Sequence, residues 1–277
     1  MTVKRRAVPK HNSSYRANDG AAYEVFLGRW SRRLAAPFLD FARFGAAGAL
    51  LDAGCGTGSL ALAMAGRWPG RPVLGSDIAA PYVAFARSRA ASPGLAFAVG
   101  DLCRLPFETG RFAGAAAQLS LNFAADPNLA AGELRRVTRP GGVVAACIWD
   151  FRGGLVYQRL LWDSAAGIDP EAARRRDRLF SAPLALPDGL PRLFERAGLL
   201  RIERASLTIR MDYENFADYW RPLLGGQGPV GGYVAGLDPP RRSAVERLVR
   251  AAYLSGAPDG PRSLAASAWA ARGVVPG

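Results

Sequence analysis

The sequence predicts a doubly wound α/β fold, a Rossmann-like mostly parallel sheet with helices on both faces. From about Gly48 to Asp150, short apolar runs alternate with helical stretches. This alternation favours a parallel sheet, because right-handed crossover connections must lie over the faces of the sheet. The chain has 277 residues, of which 49% are hydrophobic and 21% charged, so it can bury a sizeable core.

Each element of this fold has its own signal. Five apolar runs predict strands, and the stretches between them predict helices: the strands are GALLDAG, RPVLGSDI, LAFAVGD, RFAGAAAQLSL and VVAACIWD, and the helices are SLALAMAGRW, APYVAFARSRAAS and PNLAAGELRRVT. Upstream, near-helical spacing predicts an amphipathic helix or helix pair on the sheet's edge, with apolar residues Phe26, Trp30, Leu34, Phe38 and Phe41.

After Asp150 the pattern loosens. Helices are expected at 155–166 and 170–180 and over LPRLFERAGL, and two last strands over LLRIERASLTIRM and SLAASAWAARGVV. Between those strands, two helical pieces flank a predicted loop that contains Gly225, Gly226, Gly228, Gly231 and Gly232. Long structured loops of this kind are often lids, and a connector without a catalytic role is the alternative.

The formal net charge of +13 comes almost entirely from arginine, since lysine occurs only at Lys4 and Lys10. The arginines are scattered along the chain, apart from VKRR near the start and ARRRDR at 173–178. Such a distribution is typical of a solvated, arginine-rich surface. Attraction to nucleic acid or to an acidic substrate is the alternative, because basic side chains neutralise phosphates.

The cysteines Cys55, Cys103 and Cys147 are far apart and form no CxxC pair, and no secretory signal precedes them. This pattern predicts reduced thiols and a cytoplasmic location. No apolar run approaches the roughly 20 residues of a membrane span, so we expect no membrane insertion. Without a CxxC cluster or an HxxxH signature, we also predict no metal.

A glycine loop follows the first predicted strand. Gly54, Gly56 and Gly58 alternate between that strand and a helix. Missing side chains let a ligand lie against the backbone, and the N–H groups at the helix start offer donors. Asp52 leads the loop, and its carboxylate would repel a pyrophosphate. A ligand with a cationic amino-acid end and no phosphate therefore suits the loop better.

Two further aspartates end the next two strands. Asp77 closes VLGSDI, where a carboxylate can accept both hydroxyls of a ribose. Asp101 in AVGDLCRLPF is placed to accept from an exocyclic amine, with Leu102 against a purine face. The three strand ends thus offer places for an amino acid, a ribose and an adenine, which are the parts of S-adenosylmethionine.

Four segments in this order, LDAGCGTG, GSDI, AVGDLCRLPF and ELRRVTRPGGVVAA, resemble the motifs of class I S-adenosylmethionine-dependent methyltransferases. The similarity covers about residues 48–150 and is to the small-molecule group that includes ubiquinone/menaquinone-biosynthesis methyltransferases. The resemblance implies a seven-stranded sheet that ends in an antiparallel hairpin. It also implies the following division: a flexible arm at 1–20, then a methyltransferase domain at 21–277 with a cofactor-binding core at 45–150 and cap insertions at 151–189 and 212–262.

The resemblance also implies which residues contact S-adenosylmethionine. In the first helix, Tyr23 and one arginine would do so, the arginine meeting the methionine carboxylate. Arg29, Arg32 and Arg33 are the candidates, and Arg33 is favoured. The other expected contacts lie in the glycine loop and at strand ends: Asp52, Ala53, Gly54, Cys55, Gly56, Asp77, Ile78, Gly100, Asp101, Leu102 and Leu119.

Methyl transfer requires alignment of a nucleophile with the methyl group, so an obligatory catalytic dyad is not expected. If a general base assists, the candidates are His11, Asn122 and Asp150. The segment LSLNFAADP lacks the Asn/Asp-Pro-Pro-aromatic pattern of many enzymes that methylate base amines. This favours a small-molecule acceptor, methylated on O, N or C, over nucleic acid. An RNA-modifying enzyme and a non-catalytic cofactor-binding protein are the alternatives, and the oligomeric state is not predicted.

Overall fold

The computed structural model describes residues 19–45 and 47–277. Within these residues, seven strands form one sheet: β1 (Leu50–Ala53), β2 (Val73–Asp77), β3 (Leu95–Val99), β4 (Phe112–Gln118), β5 (Thr138–Trp149), β6 (Leu200–Tyr213) and β7 (Arg262–Val274). Their spatial order is β3-β2-β1-β4-β5-β7-β6. The first five strands are parallel, whereas β7 is antiparallel to both β5 and β6. The predicted doubly wound, seven-stranded fold is confirmed.

Helices flank the sheet, and those of the two predicted insertions pack against one another. Their bounds are α1 (Gly20–Tyr23), a π-helical turn (Glu24–Gly28), α2 (Arg29–Ala42), α3 (Ser59–Arg67), α4 (Ala80–Ser88), α5 (Pro127–Val137), α6 (Val156–Ala166), α7 (Pro170–Phe180), α8 (Gly189–Arg196), α9 (Phe216–Trp220), α10 (Gly228–Ala235) and α11 (Pro239–Leu254). Short 3₁₀ turns lie at Leu121–Phe123, Pro183–Ala185 and Arg221–Gly225. Across the described part of the chain, no helix is both long enough and apolar enough to span a bilayer.

Strand composition follows strand position. All seven residues of the central strand β4 are buried, which is why its sequence FAGAAAQ is an unbroken run of small and apolar residues up to its last position. The edge strand β6 instead alternates buried and exposed residues from Leu207 to Tyr213. Because β1 pairs with β2 on one side and with β4 on the other, the strand order reverses at β1. Open α/β sheets bind ligands at the carboxyl ends of strands beside such a reversal.

The N-terminal helix lies on a face of the sheet, and not merely at its edge as the sequence predicted. Helix α2 contacts β5, β6 and β7 and packs against α3. Trp30, Leu34 and Phe38 are buried there, as their helical spacing predicted, while Phe41 is only partly buried. This position brings the preceding α1 and π-helical turn to the carboxyl ends of the central strands.

The two predicted insertions pack together as one helical layer. Helix α6 of the first contacts α11 of the second. The Tyr219 hydroxyl donates to the Tyr157 carbonyl at 2.7 Å, and the Tyr233 hydroxyl donates to the Asp169 carboxylate at 2.7 Å. Tyr219 and Trp220 are buried in this layer, so they pack in its core.

The glycine-rich stretch predicted as a loop is partly helical. Gly228–Ala235 forms α10, and Gly226 and Gly228, at φ +71° and +65°, turn the chain at its start. A Cβ atom at Gly231 would lie 3.0 Å from the carbonyl carbon of Gly226. The glycines therefore allow close backbone packing, which the sequence pattern alone did not distinguish from loop flexibility.

Candidate functional site

A cavity of about 470 Å³ lies at the carboxyl ends of the central strands. The glycine loop, the strand ends, the segment after β4 and the first helices enclose it, and its lining residues are Tyr23, Ser31, Asp52, Gly54, Cys55, Gly56, Thr57, Ser59, Leu60, Asp77, Ile78, Ala79, Tyr82, Asp101, Leu102, Gln118, Leu119, Ser120, Phe123, Ala124 and Ala125. Most of the predicted contact residues are therefore brought together, although they come from separate strands.

The glycine loop forms one wall of the cavity. Gly54 has φ +72°, and a Cβ atom there would lie 2.4 Å from the Cβ atom of Ser120. The Gly54 and Cys55 N–H groups donate to the Ser76 carbonyl at 2.7 and 2.9 Å, which folds the loop over the end of β2. Only glycine satisfies both the backbone angle and the close approach at position 54.

Asp52 supplies an unpartnered buried carboxylate oxygen. Its side chain is 1% exposed, and Oδ2 accepts from the Ala61 N–H at 2.9 Å, whereas Oδ1 has no hydrogen-bond partner among the described residues. Burial raises the pKa of Asp52 to about 7; the Ala61 N–H opposes this rise, and the nearby Asp77 carboxylate adds to it. An unpaired carboxylate oxygen at a cavity wall fits a ligand with a cationic group.

Asp77 ties the glycine loop to the end of β2. Its Oδ2 accepts from the Gly56 N–H at 2.9 Å and its Oδ1 from the Ala79 N–H at 2.8 Å. Burial raises the pKa of Asp77, and these N–H groups oppose the rise. Since each carboxylate oxygen can accept a second hydrogen bond, the side chain retains capacity for two ligand hydroxyls.

Asp101 continues this series at the end of β3. Its Oδ1 accepts from the Cys103 N–H at 2.9 Å, and Asp101 and Leu102 both line the cavity. The aspartates at the ends of β1, β2 and β3 thus follow one another along the sheet. This is the order that the sequence predicted for an amino acid, a ribose and an adenine.

The first helix closes the opposite side of the cavity. The Tyr23 ring lies 5.4 Å from the Tyr82 ring, and the Tyr23 and Ser31 hydroxyl oxygens are 3.3 Å apart. Burial raises the pKa of Tyr23. The Gln118 amide nitrogen donates to the Ser31 carbonyl at 2.9 Å, which joins this helix to the end of β4.

The π-helical turn anchors the first helix to the glycine loop through Glu24. Its carboxylate accepts from the Thr57 hydroxyl at 2.5 Å and from Arg89 at 2.8 Å, and it also pairs with Arg32. A Cβ atom at Gly28 would lie 2.5 Å from this carboxylate, so glycine makes room for it. The ion cluster of Glu24, Arg32 and Arg89 therefore holds the glycine loop in place.

The favoured arginine does not reach the cavity. The Arg33 guanidinium pairs with Asp212 and donates to the Arg210 carbonyl at 2.7 Å. Arg29 pairs with Asp218 at 2.9 Å, and Arg32 pairs with Glu24. The helix spacing made all three arginines candidates, but each one is held by an acidic side chain, Glu24 in the preceding turn or Asp212 and Asp218 far along the chain.

The remaining predicted residues also lie outside the lining. Ala53 is fully buried, and a Cβ atom at Gly100 would meet the Ser76 hydroxyl at 2.6 Å. Asn122 lies in the 3₁₀ turn after β4, beside the lining residues. The Asp150 carboxylate accepts from the Arg152 and Gly153 N–H groups in its own turn. His11 lies outside the described residues.

Sequence reasoning missed several lining residues: Ser31, Thr57, Ser59, Leu60, Ala79, Tyr82, Gln118, Ser120, Phe123, Ala124 and Ala125. For two of these residues, the sequence contains a signal that could have identified them. Ser31 follows Tyr23 by eight positions, a helical repeat, and Gln118 is the polar end of an apolar strand. Within the described ranges, no three His, Cys, Asp or Glu side chains cluster as a metal site, and the absence of a metal stays a prediction.

Comparison with known proteins agrees with this geometry. A family described as a methyltransferase domain matches residues 51–146. Over 116 residues the chain is 40% identical to demethylmenaquinone methyltransferase of Thermus thermophilus, covering 41% of this chain and 51% of the relative. Over 189 residues it is 30% identical to malonyl-[acyl-carrier protein] O-methyltransferase of Erwinia pyrifoliae, covering 68% of this chain and 64% of the relative. The chain thus spans about half to two thirds of these relatives.

Among solved structures, a Haemonchus contortus phosphoethanolamine N-methyltransferase 2 superposes with a TM-score of 0.59 at 17% identity, covering 94% of this chain and 58% of that one. At that identity the likeness concerns the fold. Together with the match over residues 51–146, it shows a class I methyltransferase fold. The chain resembles the methyltransferase group that includes quinone-biosynthesis enzymes, and its cofactor is S-adenosylmethionine, as the sequence predicted.

Proposed function

We propose that the protein transfers the methyl group of S-adenosylmethionine to a small organic acceptor, on O, N or C. The observation that carries this proposal is the succession of Asp52, Asp77 and Asp101 around one cavity beside a bare glycine loop. The names of the relatives, demethylmenaquinone methyltransferase and malonyl-[acyl-carrier protein] O-methyltransferase, support an organic acceptor.

Each part of the cofactor has a place in the cavity. Asp52 Oδ1 would accept from the amino group, the Asp77 carboxylate from the ribose hydroxyls, and Asp101 from the adenine amine with Leu102 beside the ring. For the methionine carboxylate we assign the first turn of α3, where the Ser59 hydroxyl is buried without a partner among the described residues. Helix N-termini favour anions through their free N–H groups and the helix dipole.

S-adenosylmethionine supplies an electrophilic methyl group on a sulfonium. The protein's own residues must therefore align an acceptor with that group and exclude water, and alignment contributes roughly 7–11 kcal/mol. Beyond the aspartates, the cavity wall includes the apolar residues Leu119, Phe123, Ala124 and Ala125, together with Tyr23 and the polar residues Ser31, Gln118 and Ser120. This wall favours an acceptor with a substantial apolar surface.

Transfer of a labelled methyl group tests the proposal. The purified protein would be incubated with methyl-tritiated S-adenosylmethionine and a cell extract, and label measured separately in organic-soluble, protein and RNA fractions. We expect label in the organic-soluble fraction. It should be lost in Asp77→Ala and kept in Asp40→Ala, because Asp40 is an exposed residue paired with Arg67 outside the cavity.

The alternatives predict different results. Label in the RNA fraction alone would support an RNA-modifying enzyme. Absence of label in every fraction, together with normal binding of S-adenosylmethionine in a calorimeter, would support a non-catalytic cofactor-binding protein. Either outcome would overturn the proposal.

A further inference from the structure

Gln118 lines the cavity and carries a side-chain oxygen without a hydrogen-bond partner among the described residues. The residue ends β4, lines the cavity and is 8% exposed. Its amide nitrogen donates to the Ser31 carbonyl at 2.9 Å. Because a main-chain carbonyl only accepts hydrogen bonds, this contact fixes the orientation of the amide. The other amide atom, Oε1, is buried without a hydrogen-bond partner among the described residues.

The backbone directly after Gln118 is strained. Leu119 has φ +60°, a conformation that bulky residues rarely adopt. Its N–H donates to the Cys147 carbonyl at 2.8 Å, which holds the strained residue in place. Strain of this kind persists where the surroundings fix it, and it is concentrated at ligand sites. The turn keeps both Gln118 and Leu119 on the cavity wall.

Strand order places Gln118 on the acceptor side. The three aspartates that match the cofactor follow β1, β2 and β3, whereas β4 lies on the other side of β1. Gln118 therefore lies beyond the amino-acid end of the cofactor, with Tyr23 and the apolar Leu119 and Phe123 around it. A buried neutral carbonyl oxygen suits a neutral donor, while the charged Asp52 oxygen suits the cationic group.

We infer that Gln118 Oε1 accepts a hydrogen bond from an O–H or N–H group of the methyl acceptor, and that it selects acceptors that carry such a donor. This inference rests on the proposed function. It narrows the substrate class to largely apolar molecules with a hydroxyl or N–H group. A site built to pair a donor discriminates against analogues that lack it, because the buried oxygen is then left unpaired.

Matched ligand pairs test this inference by binding alone. The probes are phenol with anisole, 2-naphthol with 2-methoxynaphthalene, and indole with N-methylindole, titrated by NMR into protein saturated with S-adenosylhomocysteine. In wild type we expect the donor-bearing member of at least one pair to bind about tenfold more tightly. In Gln118→Met, which keeps the side-chain length but removes the oxygen, this preference should fall to about twofold or less.

Two controls separate other roles of Gln118. Asp40→Ala changes an exposed residue outside the cavity and should keep the preference, and thermal unfolding of each variant checks the fold. The Kd of S-adenosylhomocysteine should change less than about threefold in Gln118→Met. A wild type without any donor preference, or a preference that persists in Gln118→Met, would overturn the inference. So would a tenfold loss of S-adenosylhomocysteine affinity in Gln118→Met, which would assign Gln118 to the cofactor. Failure of the proposed function would instead appear as absent methyl transfer.

Discussion

Asp52 is buried and the neighbouring Asp77 is half-buried, and the two carboxylates differ in the hydrogen bonds that they already accept. Both oxygens of Asp77 already accept backbone N–H groups, whereas Asp52 keeps one oxygen unpartnered within the described structure. Burial raises the pKa of Asp52 to about 7, because the single Ala61 N–H donor only partly opposes the rise and the Asp77 carboxylate adds to it. A cationic ligand group would favour the ionised form of Asp52, so ligand binding and the ionisation of Asp52 are coupled.

The raised pKa of Asp52 predicts how the free protein responds to pH. A carboxyl whose folded pKa exceeds its unfolded value stabilises the protein below about pH 4, and this contribution is lost as pH rises through about 7. Asp52→Asn should therefore raise the free energy of unfolding at pH 8, by up to about 4 kcal/mol, and change it little at pH 4. Urea unfolding at both pH values measures this.

Cofactor affinity should increase as pH rises, whereas the stability contribution of Asp52 decreases. Because the amino group of S-adenosylmethionine pairs with ionised Asp52, wild-type affinity should rise between pH 5.5 and 7.5. In Asp52→Asn the affinity should be lower and nearly independent of pH over that range. Titration calorimetry that gave parallel pH profiles for the two proteins would contradict this role.

Single substitutions of Asp77 and Arg33 test which of the two residues binds the cofactor. Asp77→Ala should weaken cofactor binding by about 1.5–3 kcal/mol, because the ribose loses charge-assisted hydrogen bonds. It also removes the acceptor of the Gly56 N–H group. Arg33→Ala should change the Kd less than about threefold, since Arg33 pairs with Asp212 outside the cavity. A larger loss in Arg33→Ala than in Asp77→Ala, measured on folded variants, would reverse the assignment.

Among the structural elements, the glycine loop depends most on small residues. Gly54→Ala should reduce cofactor affinity at least tenfold and destabilise the fold, because its Cβ atom would overlap Ser120. Gly66→Ala in α3 is the matched control, since a Cβ atom there meets nothing within 4 Å in the described structure. It should keep cofactor binding and stabilise the helix by about 0.5–1 kcal/mol. Calorimetry and thermal unfolding of both variants measure this; equal affinities would contradict the close approach at Gly54.

Elements with strong local signals were predictable from the sequence. The signals for β1 to β5 and for the glycine loop come from residues that are close together in the sequence. These elements form where the sequence predicts them, and Asp52, Asp77 and Asp101 line one cavity. The two last strands were predictable because each is a long strand-like stretch of sequence beside a helical segment.

Features set by distant contacts were not predictable. The positions of Arg29 and Arg33 depend on Asp218 in helix α9 and on Asp212 in strand β6, both far along the chain. The role of Gln118 depends on the carbonyl of Ser31, which is 87 positions away. A single sequence gives the spacing of such side chains but not the rotation of a helix against its partners.

On the scale of the whole molecule, the net charge is +13, and many of the arginines lie in local ion pairs. On α7, which holds most of the ARRRDR run, Arg174 and Arg175 pair with Glu171, and Arg176 pairs with Asp163. Arginines that are paired with carboxylates in this way attract phosphates less strongly than arginines without an acidic partner.

We therefore expect only weak binding of bulk RNA. Any affinity at low ionic strength should fall steeply with added salt, because it arises from counterion release, and should be undetectable near 150 mM KCl. Fluorescence anisotropy with labelled total RNA at a series of salt concentrations measures this. Saturable, tight binding at 150 mM KCl would favour the RNA-modifying alternative.

A crystal structure with S-adenosylhomocysteine tests the central assignment most directly. We expect the ligand in the cavity, with its amino group on Asp52, both ribose hydroxyls on Asp77 and the adenine amine at Asp101. Its sulfur should face Gln118, Leu119 and Tyr23. A ligand that is absent at saturating concentration, reversed along the strand ends or bound outside this cavity would contradict the assignment of the three aspartates.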